Sequence, residues 1–325
     1  MRIALLIGTT AELDSCHALY ANTLVSEGHE VWIGTVNGLS SLGTEIRCPL
    51  GRPDGTVEAF APLPGKLEQR DFADIDAVWV LNYPHPSVEE AAWQLLWCLN
   101  QQVPFVNDVT GILTLNTKTA LPAVVPPRHL PRTLVSNSFT ELWDEYQTAP
   151  DTTWLIKPPA GDAGADVYLL EPGSSNNRVL IQSMTGNAAI TDLLTKGGLM
   201  GLRNRYCVLQ EYVPHPEEKR VLLAAGRPVA QQLHRLAPGE HRGNTAHRAQ
   251  CTDTELTADE HRLCLDIGEQ LLRHGIRFAG IDLAYPYVFE FNMVNPGGLD
   301  ERLDLALPDR TPQTIRALLK AVTGR

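Results

Sequence analysis

Apolar and polar positions alternate with the period of a strand in one stretch above all, Gly280 to Asn292. The pattern predicts a tight hairpin in which Asp282 lies on one strand and Glu290 and Asn292 on the other. Side chains two apart on a strand leave the same face, so Glu290 and Asn292 point together, and the partner strand can bring Asp282 beside them. Elsewhere, continuous apolar runs predict strands at residues 2–8, His29–Val36, Ala77–Leu81 and Val103–Val106, with helices between them. One helix runs over residues 14–27 and stops at Gly28; another carries Val88, Ala92, Leu95, Leu96 and Leu99, with Trp93 and Trp97 as packing residues. This alternation implies an open parallel sheet. Residues 49–66, rich in Pro and Gly, read as a loop.

Near residue 112 the texture changes. Pro122, Pro126, Pro127 and Pro131 punctuate a connection, and Ser138 with Glu141 forms a capping box that opens a short helix. Trp154–Lys157 is a strand followed by a glycine-bearing loop, Ala160 to Asp166. Residues 174–187 are polar and read as a mobile loop. Tyr206–Val213 is a buried strand, and Val221–Leu223 with Pro228–Leu233 forms a hairpin around Gly226. Thr257 and Glu260 make a second capping box, starting a helix through Leu263, Ile267 and Leu271 that stops at Gly275; Thr311-Pro312 opens a terminal helix.

A chain of 325 residues is long enough for two or three cores. The net charge of −11 argues against nucleic acid as a partner, because phosphate backbones select basic faces. Six scattered cysteines form no C-x-x-C pair and imply reduced thiols in a cytoplasm. The N-terminal apolar run is too short for a signal segment or a membrane span and reads as a first strand. No G-x-G-x-x-G follows that strand, so it predicts no dinucleotide site.

Asp282, Glu290 and Asn292 offer only oxygen, the donor set of a hard cation such as Mg²⁺, which commonly shares its shell with substrate phosphates. Lys157 closes a strand, where a buried ammonium needs an anionic partner. Gly161 and Gly164 behind it let backbone N–H groups approach phosphate oxygens, although two glycines alone also make an ordinary turn. Lys118, Arg220 and Arg242 taken singly read as solvated surface groups.

In order along the chain these residues form a series: Lys118, the Lys157 loop, the strand Tyr206–Val213, Arg220, Arg242-Gly243-Asn244, Asp282, and Glu290-x-Asn292. That series resembles the ATP-grasp superfamily, specifically the prokaryotic glutathione synthetases, from about Asn107 to Glu301. The resemblance implies an α/β protein: an N-terminal open parallel sheet on the substrate side (residues 1–112), then an ATP-grasp fold of two α+β subdomains (113–210 with the phosphate loop, 211–325 with the metal site). It implies that Lys118 and Lys157 contact ATP phosphates, with Gly161 and Gly164 in the loop over them. Gln210, Glu211 and Val213 would line the adenine pocket and Glu218 would hold the ribose. Arg220, Arg242 and Asn244 would face the reacting phosphate and carboxylate, and Asp282, Glu290 and Asn292 would hold two Mg²⁺ ions.

Two segments depart from the family pattern. The glutathione synthetases carry a basic pair ahead of a proline pair, where this chain has Asn82-Tyr83-Pro84-His85-Pro86. After Asn292 it reads Met293-Val294-Asn295-Pro296-Gly297-Gly298, closer to the Pro-Gly segment of other ATP-grasp amino-acid ligases. Asn82, Tyr83, His85, Asn295, Gly297 and Gly298 are therefore the candidate substrate contacts. His85, His241 and His247 are read both as substrate contacts and as ordinary loop histidines. The expected activity is an ATP-dependent carboxylate–amine ligase acting on amino-acid-like or γ-glutamyl small molecules, in the cytoplasm, with no membrane partner; assembly into a homo-oligomer stays open. An α-dipeptide ligase, a catalytically silent nucleotide-binding protein and a phosphotransferase without an amine acceptor are the rival readings.

Overall fold

The computed structural model describes residues 1–161, 164–186, 205–237, 239–240 and 250–324. Arg242, Asn244, His241 and His247 lie outside them. The fold is a mixed α/β arrangement of three sheets.

The N-terminal sheet starts with β1 (Arg2–Ile7), whose residues from Ile3 onward have no solvent exposure. Helix α1 (Ser15–Ser26) opens on Asp14, which accepts from His17 N at 2.8 Å while His17 Nδ1 accepts from Asp14 N at 3.2 Å. It ends at Gly28, whose φ of +82° suits a residue without Cβ. Strands β2 (Glu30–Thr35), β3 (Ser40–Leu42), β4 (Glu45–Gly51), β5 (Leu67–Asp71) and β6 (Ala77–Val80) complete the sheet in the order β3-β4-β2-β1-β6, with β5 on β4. The core of three strands, β2-β1-β6, is parallel as expected. Strands β3 to β5 add an antiparallel edge that the apolar pattern does not reveal. The expected loop therefore begins only after Gly51. Val103–Val106 contributes a single parallel bridge, Val78 to Phe105, rather than a strand. Helix α2 (Glu89–Asn100) buries Ala92, Trp93, Leu96 and Leu99, whereas Trp97 is 47% exposed and lies outside the core.

Helices α3 (Val109–Leu115) and α4 (Leu121–Val124) lead into the second sheet. Its elements are β7 (Thr133–Ser136), α5 (Phe139–Gln147), β8 (Trp154–Lys157), β9 (Tyr168–Leu170), α6 (Asn177–Thr185) and β10 (Cys207–Glu211), the strands pairing β7-β10-β8-β9. Ser138 caps α5 through Glu141 N at 3.3 Å, but the Glu141 carboxylate accepts from Ser136 Oγ at 2.5 Å, so only half of the expected box forms. The polar stretch read as a loop is helix α6 over most of its length. Asn177 Nδ2 donates to Tyr146 Oη and Glu171 O at 2.7 Å each, and Ile181 drops into the core. This sheet has a core of its own, with Leu142, Trp154, Ile156 and Leu209.

The third sheet follows: β11 (Glu217–Ala224), β12 (Arg227–Arg235), β13 (Gln250–Asp253), helix α7 (Ala258–Arg273), β14 (Phe278–Ala284), β15 (Tyr287–Asn292), and helices α8 (Leu299–Asp304) and α9 (Thr311–Thr323). The strand order is β13-β12-β11-β14-β15, all antiparallel. Thr257 and Glu260 close both halves of the capping box on α7. One apolar core runs from this sheet into the N-terminal one, joining Val221 and Ile281 to Val78 and Leu96. Buried Asn107 fastens the junction. Its Nδ2 donates to Phe278 O (2.6 Å) and Met293 O (2.7 Å), and its Oδ1 accepts from Arg277 N and Phe278 N (2.8 Å each).

Candidate active site

Cross-strand register builds the site. Arg220 on β11 lies opposite Asp282 on β14, and Asp282 lies opposite Glu290 on β15, so three charged side chains form one row across adjacent strands. Gln232 on β12 extends the row on the other side of Arg220. Asn292 follows two residues after Glu290, as the hairpin pattern requires. Gly280 makes room for the arginine: a Cβ there would meet Arg220 Cδ at 3.1 Å and Pro296 Cβ at 3.0 Å.

The acids of this row are paired. Arg220 grips Asp282 through Nε and through Nη2 (2.9 Å to Oδ2), and its Nη1 donates to Pro296 O at 2.6 Å. Burial opposes the guanidinium charge, but Asp282 more than offsets it and holds the group above its ordinary range. Asn292 Nδ2 donates to Asp282 Oδ2 at 3.3 Å. Lys118 Nζ donates to Glu290 Oε1 at 2.8 Å and to Gly161 O at 3.0 Å, so the glycine loop is tied to the acid row through one lysine. Burial pushes the Glu290 carboxyl up, against the pull of Lys118. That cost is what an added cation would relieve, and the donor set of Asp282, Glu290 and the Asn292 amide oxygen fits a hard divalent ion.

Across the cleft stands the second sheet. Lys157 at the end of β8 is buried, its Nζ 2.9 Å from Gln210 Oε1 on β10. Burial, helped by Lys118, lowers its pKa to about 8. Gln210 is itself oriented by Thr133 Oγ1 at 2.9 Å. Between the sheets lies a cleft of about 820 Å³, solvent mouth included. Lys118, Lys157, Gly164, Gln210, Glu211, Val213, Glu218, Arg220, Asp282, Glu290 and Asn292 all line it. Its walls also include Tyr212, within the expected run Gln210 to Val213, and Leu155, Val167, His215 and Phe289, which sequence reasoning missed. His215 stacks on Phe289 (centroids 4.9 Å apart), bonds Val213 O at 2.6 Å and pairs with Glu218 at 3.4 Å. Burial works against the His215 charge, yet Glu218 and Val213 raise its pKa. A lone histidine in the connection between β10 and β11, or a lone Phe289 in β15, carries no spacing signal, and the second sheet must be in place before these residues become walls.

A second space of about 600 Å³ shares Lys118 and Glu290 with the first and is lined by Gly161, Tyr83, Glu89 and Asn116. Asn116 Nδ2 donates to Tyr83 Oη, and Asn116 Oδ1 accepts from Met293 N at 3.1 Å, linking the two divergent segments. The remaining candidate substrate residues are not gathered there. Asn82 accepts from Gly8 N at 3.0 Å at the end of β1, and His85 bonds Ser87 Oγ at 2.7 Å on the surface. Asn295 Oδ1 is buried without a hydrogen-bond partner. Gly297 and Gly298 both have positive φ, and a Cβ on Gly298 would lie 2.8 Å from Gln232 Oε1. All six cysteines are free thiols, and no helix among the described residues is long and apolar enough to cross a membrane.

Comparison with known proteins identifies the family. The family model of the prokaryotic glutathione synthetase ATP-grasp domain matches residues 120–305. The glutathione synthetase of Nostoc sp. (strain PCC 7120 / SAG 25.82 / UTEX 2576) is 28% identical over 325 residues, covering 94% of each chain. That of Synechococcus elongatus (strain ATCC 33912 / PCC 7942 / FACHB-805) is 26% identical, covering 98% of this chain and 99% of its own. Among solved structures, the D-cycloserine synthetase DcsG superposes with a TM-score of 0.64 at 14% identity, over 99% of this chain and 100% of its own. The ATP-grasp ligase PsnB, complexed with a minimal precursor, gives 0.63 at 14% identity over 98% of each. The chain belongs to the prokaryotic glutathione synthetase ATP-grasp family and is an ATP-dependent carbon–nitrogen ligase.

Proposed function

We propose that the protein activates the carboxylate of an amino-acid-like substrate as an acyl phosphate and joins it to an amine, releasing ADP and phosphate. The row Arg220–Asp282–Glu290 facing Lys118 and Lys157 across one cleft is the observation that carries this reading. A carboxylate is a poor acyl donor at neutral pH, and phosphorylation supplies the leaving group. Phosphoryl transfer needs alignment and charge neutralisation rather than a covalent catalyst. Lys118 and Lys157 bind and align the ATP phosphates, Gln210 to Val213 accept the adenine edge, and Glu218 takes the ribose. Arg220, with Arg242, faces the oxygens that gain charge as the amine attacks. Asp282, Glu290 and Asn292 would hold Mg²⁺, two ions in this assignment, which when bound neutralise charge on the transferring phosphoryl oxygens. Lys118, paired here with Glu290, would be free to turn to phosphate where Glu290 holds the ion. The substrate carboxylate enters through the space lined by Tyr83 and Asn116, which meets the nucleotide cleft at Lys118 and Glu290.

The glutathione synthetase relatives favour a γ-glutamyl donor. A specific observation favours a second reading, an α-linked product. The Asn82–Pro86 segment offers no basic pair to an anionic donor, and Asn295–Gly298 is a Pro-Gly-Gly turn. ATP turnover screened against pairs of amino acids and γ-glutamyl compounds, with mass detection of products, separates the two. Transfer of heavy oxygen from labelled carboxylate into released phosphate tests the acyl phosphate. Absence of ATP turnover with every pair would leave only nucleotide binding; phosphate transfer that proceeds without an amine would make the protein a phosphotransferase.

A further inference from the structure

The row of paired side chains has a neighbour on the same sheet face. His234 lies two residues beyond Gln232 on β12, so both project to the side that carries Arg220. Cys251 on β13 is the cross-strand partner of His234. Glu301 arrives from helix α8 over the same face, its Oε2 3.4 Å from Gln232 Nε2, which also approaches Cys251 Sγ at 3.3 Å. The imidazole nitrogen, the thiol sulfur and a carboxylate oxygen all lie within 4.8 Å of one another. Among the described residues this is the one place where three such groups converge. His234 is 5% exposed, and Cys251 and Glu301 are half-buried.

The donor chemistry differs from that of the acid row. Nitrogen, sulfur and oxygen in one set suit a borderline cation, whereas Mg²⁺ takes oxygen alone. Zinc bonds of about 2.0–2.3 Å at tetrahedral angles place ligand atoms roughly 3.5 Å apart, so the three groups need to close by only about an ångström. The Gln232 bond to Glu301 is long and a thiol is a weak acceptor, so a cation that bound both groups would displace weak contacts. Three protein ligands leave one coordination position open, the pattern of zinc sites that also take a water or substrate atom.

We propose that His234, Cys251 and Glu301 form a binding site for a borderline divalent cation of the zinc class, separate from the oxygen-only set at Asp282, Glu290 and Asn292. The site sits one row along the sheet from Arg220, beside the reaction cleft. It is independent of the substrate assigned above.

Cobalt(II) is the probe, because its thiolate complexes absorb by sulfur-to-metal charge transfer and its tetrahedral complexes show intense visible bands. The full chain is titrated with Co²⁺ in excess Mg²⁺, which occupies oxygen-only sites. One equivalent should give both features, and Zn²⁺ should erase them. Cys251→Ser should lose the charge-transfer band, and His234→Gln and Glu301→Gln should each weaken binding at least tenfold. Circular dichroism confirms that each variant is folded, and native mass spectrometry of the unmodified chain with Zn²⁺ supplies a readout that needs no variant. No charge-transfer band in the unmodified chain, retention of the band in folded Cys251→Ser, or no zinc adduct by mass overturns the proposal.

Discussion

At the residue scale, Lys157 is the most informative titrating group. Its amine is buried against Gln210, with a pKa lowered to about 8, so near pH 8 much of it is neutral. A polyphosphate beside it favours the charged form. Binding ATP should therefore take up about half a proton at pH 8, and less at pH 6, where the group is already charged. Calorimetry in buffers of different ionisation enthalpy measures this uptake, and Lys157→Met should abolish it while raising the KM for ATP about 10- to 100-fold. Unchanged uptake in the variant would assign the proton elsewhere. On the substrate side, Gly297→Val places a branched side chain at φ +66° and should raise the KM of one amino-acid substrate while sparing that of ATP. Steady-state kinetics with each substrate varied in turn checks it, and an effect confined to ATP would displace the pocket. Asp282 and Glu290 could be placed together from sequence because the hairpin that carries them is strongly patterned, whereas Lys118, singly a surface lysine, entered only through the family resemblance. Asn107 and Asn116 could not: their side chains bond partners far along the chain, Phe278 and Met293 for Asn107, Tyr83 and Met293 for Asn116, and a single asparagine carries no periodicity.

At the element scale, helices with caps and strands with apolar runs were legible, Val103–Val106 excepted, and elements made by a single anchor were not. The Thr257–Glu260 box is present in full because both partners are local. Helix α6 was missed because Ile181 alone of its residues is a fully buried apolar anchor in a polar stretch, and strand β5, Leu-Glu-Gln-Arg-Asp, exists only as a partner for β4. The α7 cap also makes a pH prediction. Burial pushes the Glu260 carboxyl up, but Lys219 Nζ at 2.7 Å and the Thr257 backbone N–H at 2.8 Å outweigh it and hold its pKa below the usual glutamate value. A depressed carboxyl stabilises the fold fully above its unfolded pKa and loses that contribution as pH falls through the folded value. Glu260→Gln should therefore cost roughly 1–3 kcal/mol at pH 7, and the difference from the unmodified protein should shrink below about pH 4. Urea unfolding across pH 3–7 measures both, and a gap that stays constant with pH would remove Glu260 from the account.

At the scale of the whole molecule, packing divides the chain differently from its order. The first and third sheets share one apolar core and are fastened by Asn107, so residues from opposite ends of the chain form one body. The second sheet keeps a separate core, and the cleft lies between it and the third. Lys118 spans that cleft, holding Gly161 O on one side and Glu290 on the other. A body with its own core, joined through a solvent-containing cleft, is free to rotate as a unit, and ligands that touch both walls favour the closed arrangement. ATP with Mg²⁺ should then slow hydrogen exchange in peptides spanning Lys157–Gly161 and Gly164–Leu170. Strands β1 and β6 should stay unchanged, because their amides are already buried in the shared core. Helix α6 should also stay unchanged, since its amides are satisfied within the helix and it lines no part of the cleft. Lys118→Ala, which removes the link between loop and acid row, should raise exchange of the Lys157–Gly161 peptide in the free protein and reduce the protection gained from ATP. Equal protection across all three sheets would mean that nucleotide tightens the molecule globally, and protection confined to α6 would move the closing element away from the glycine loop.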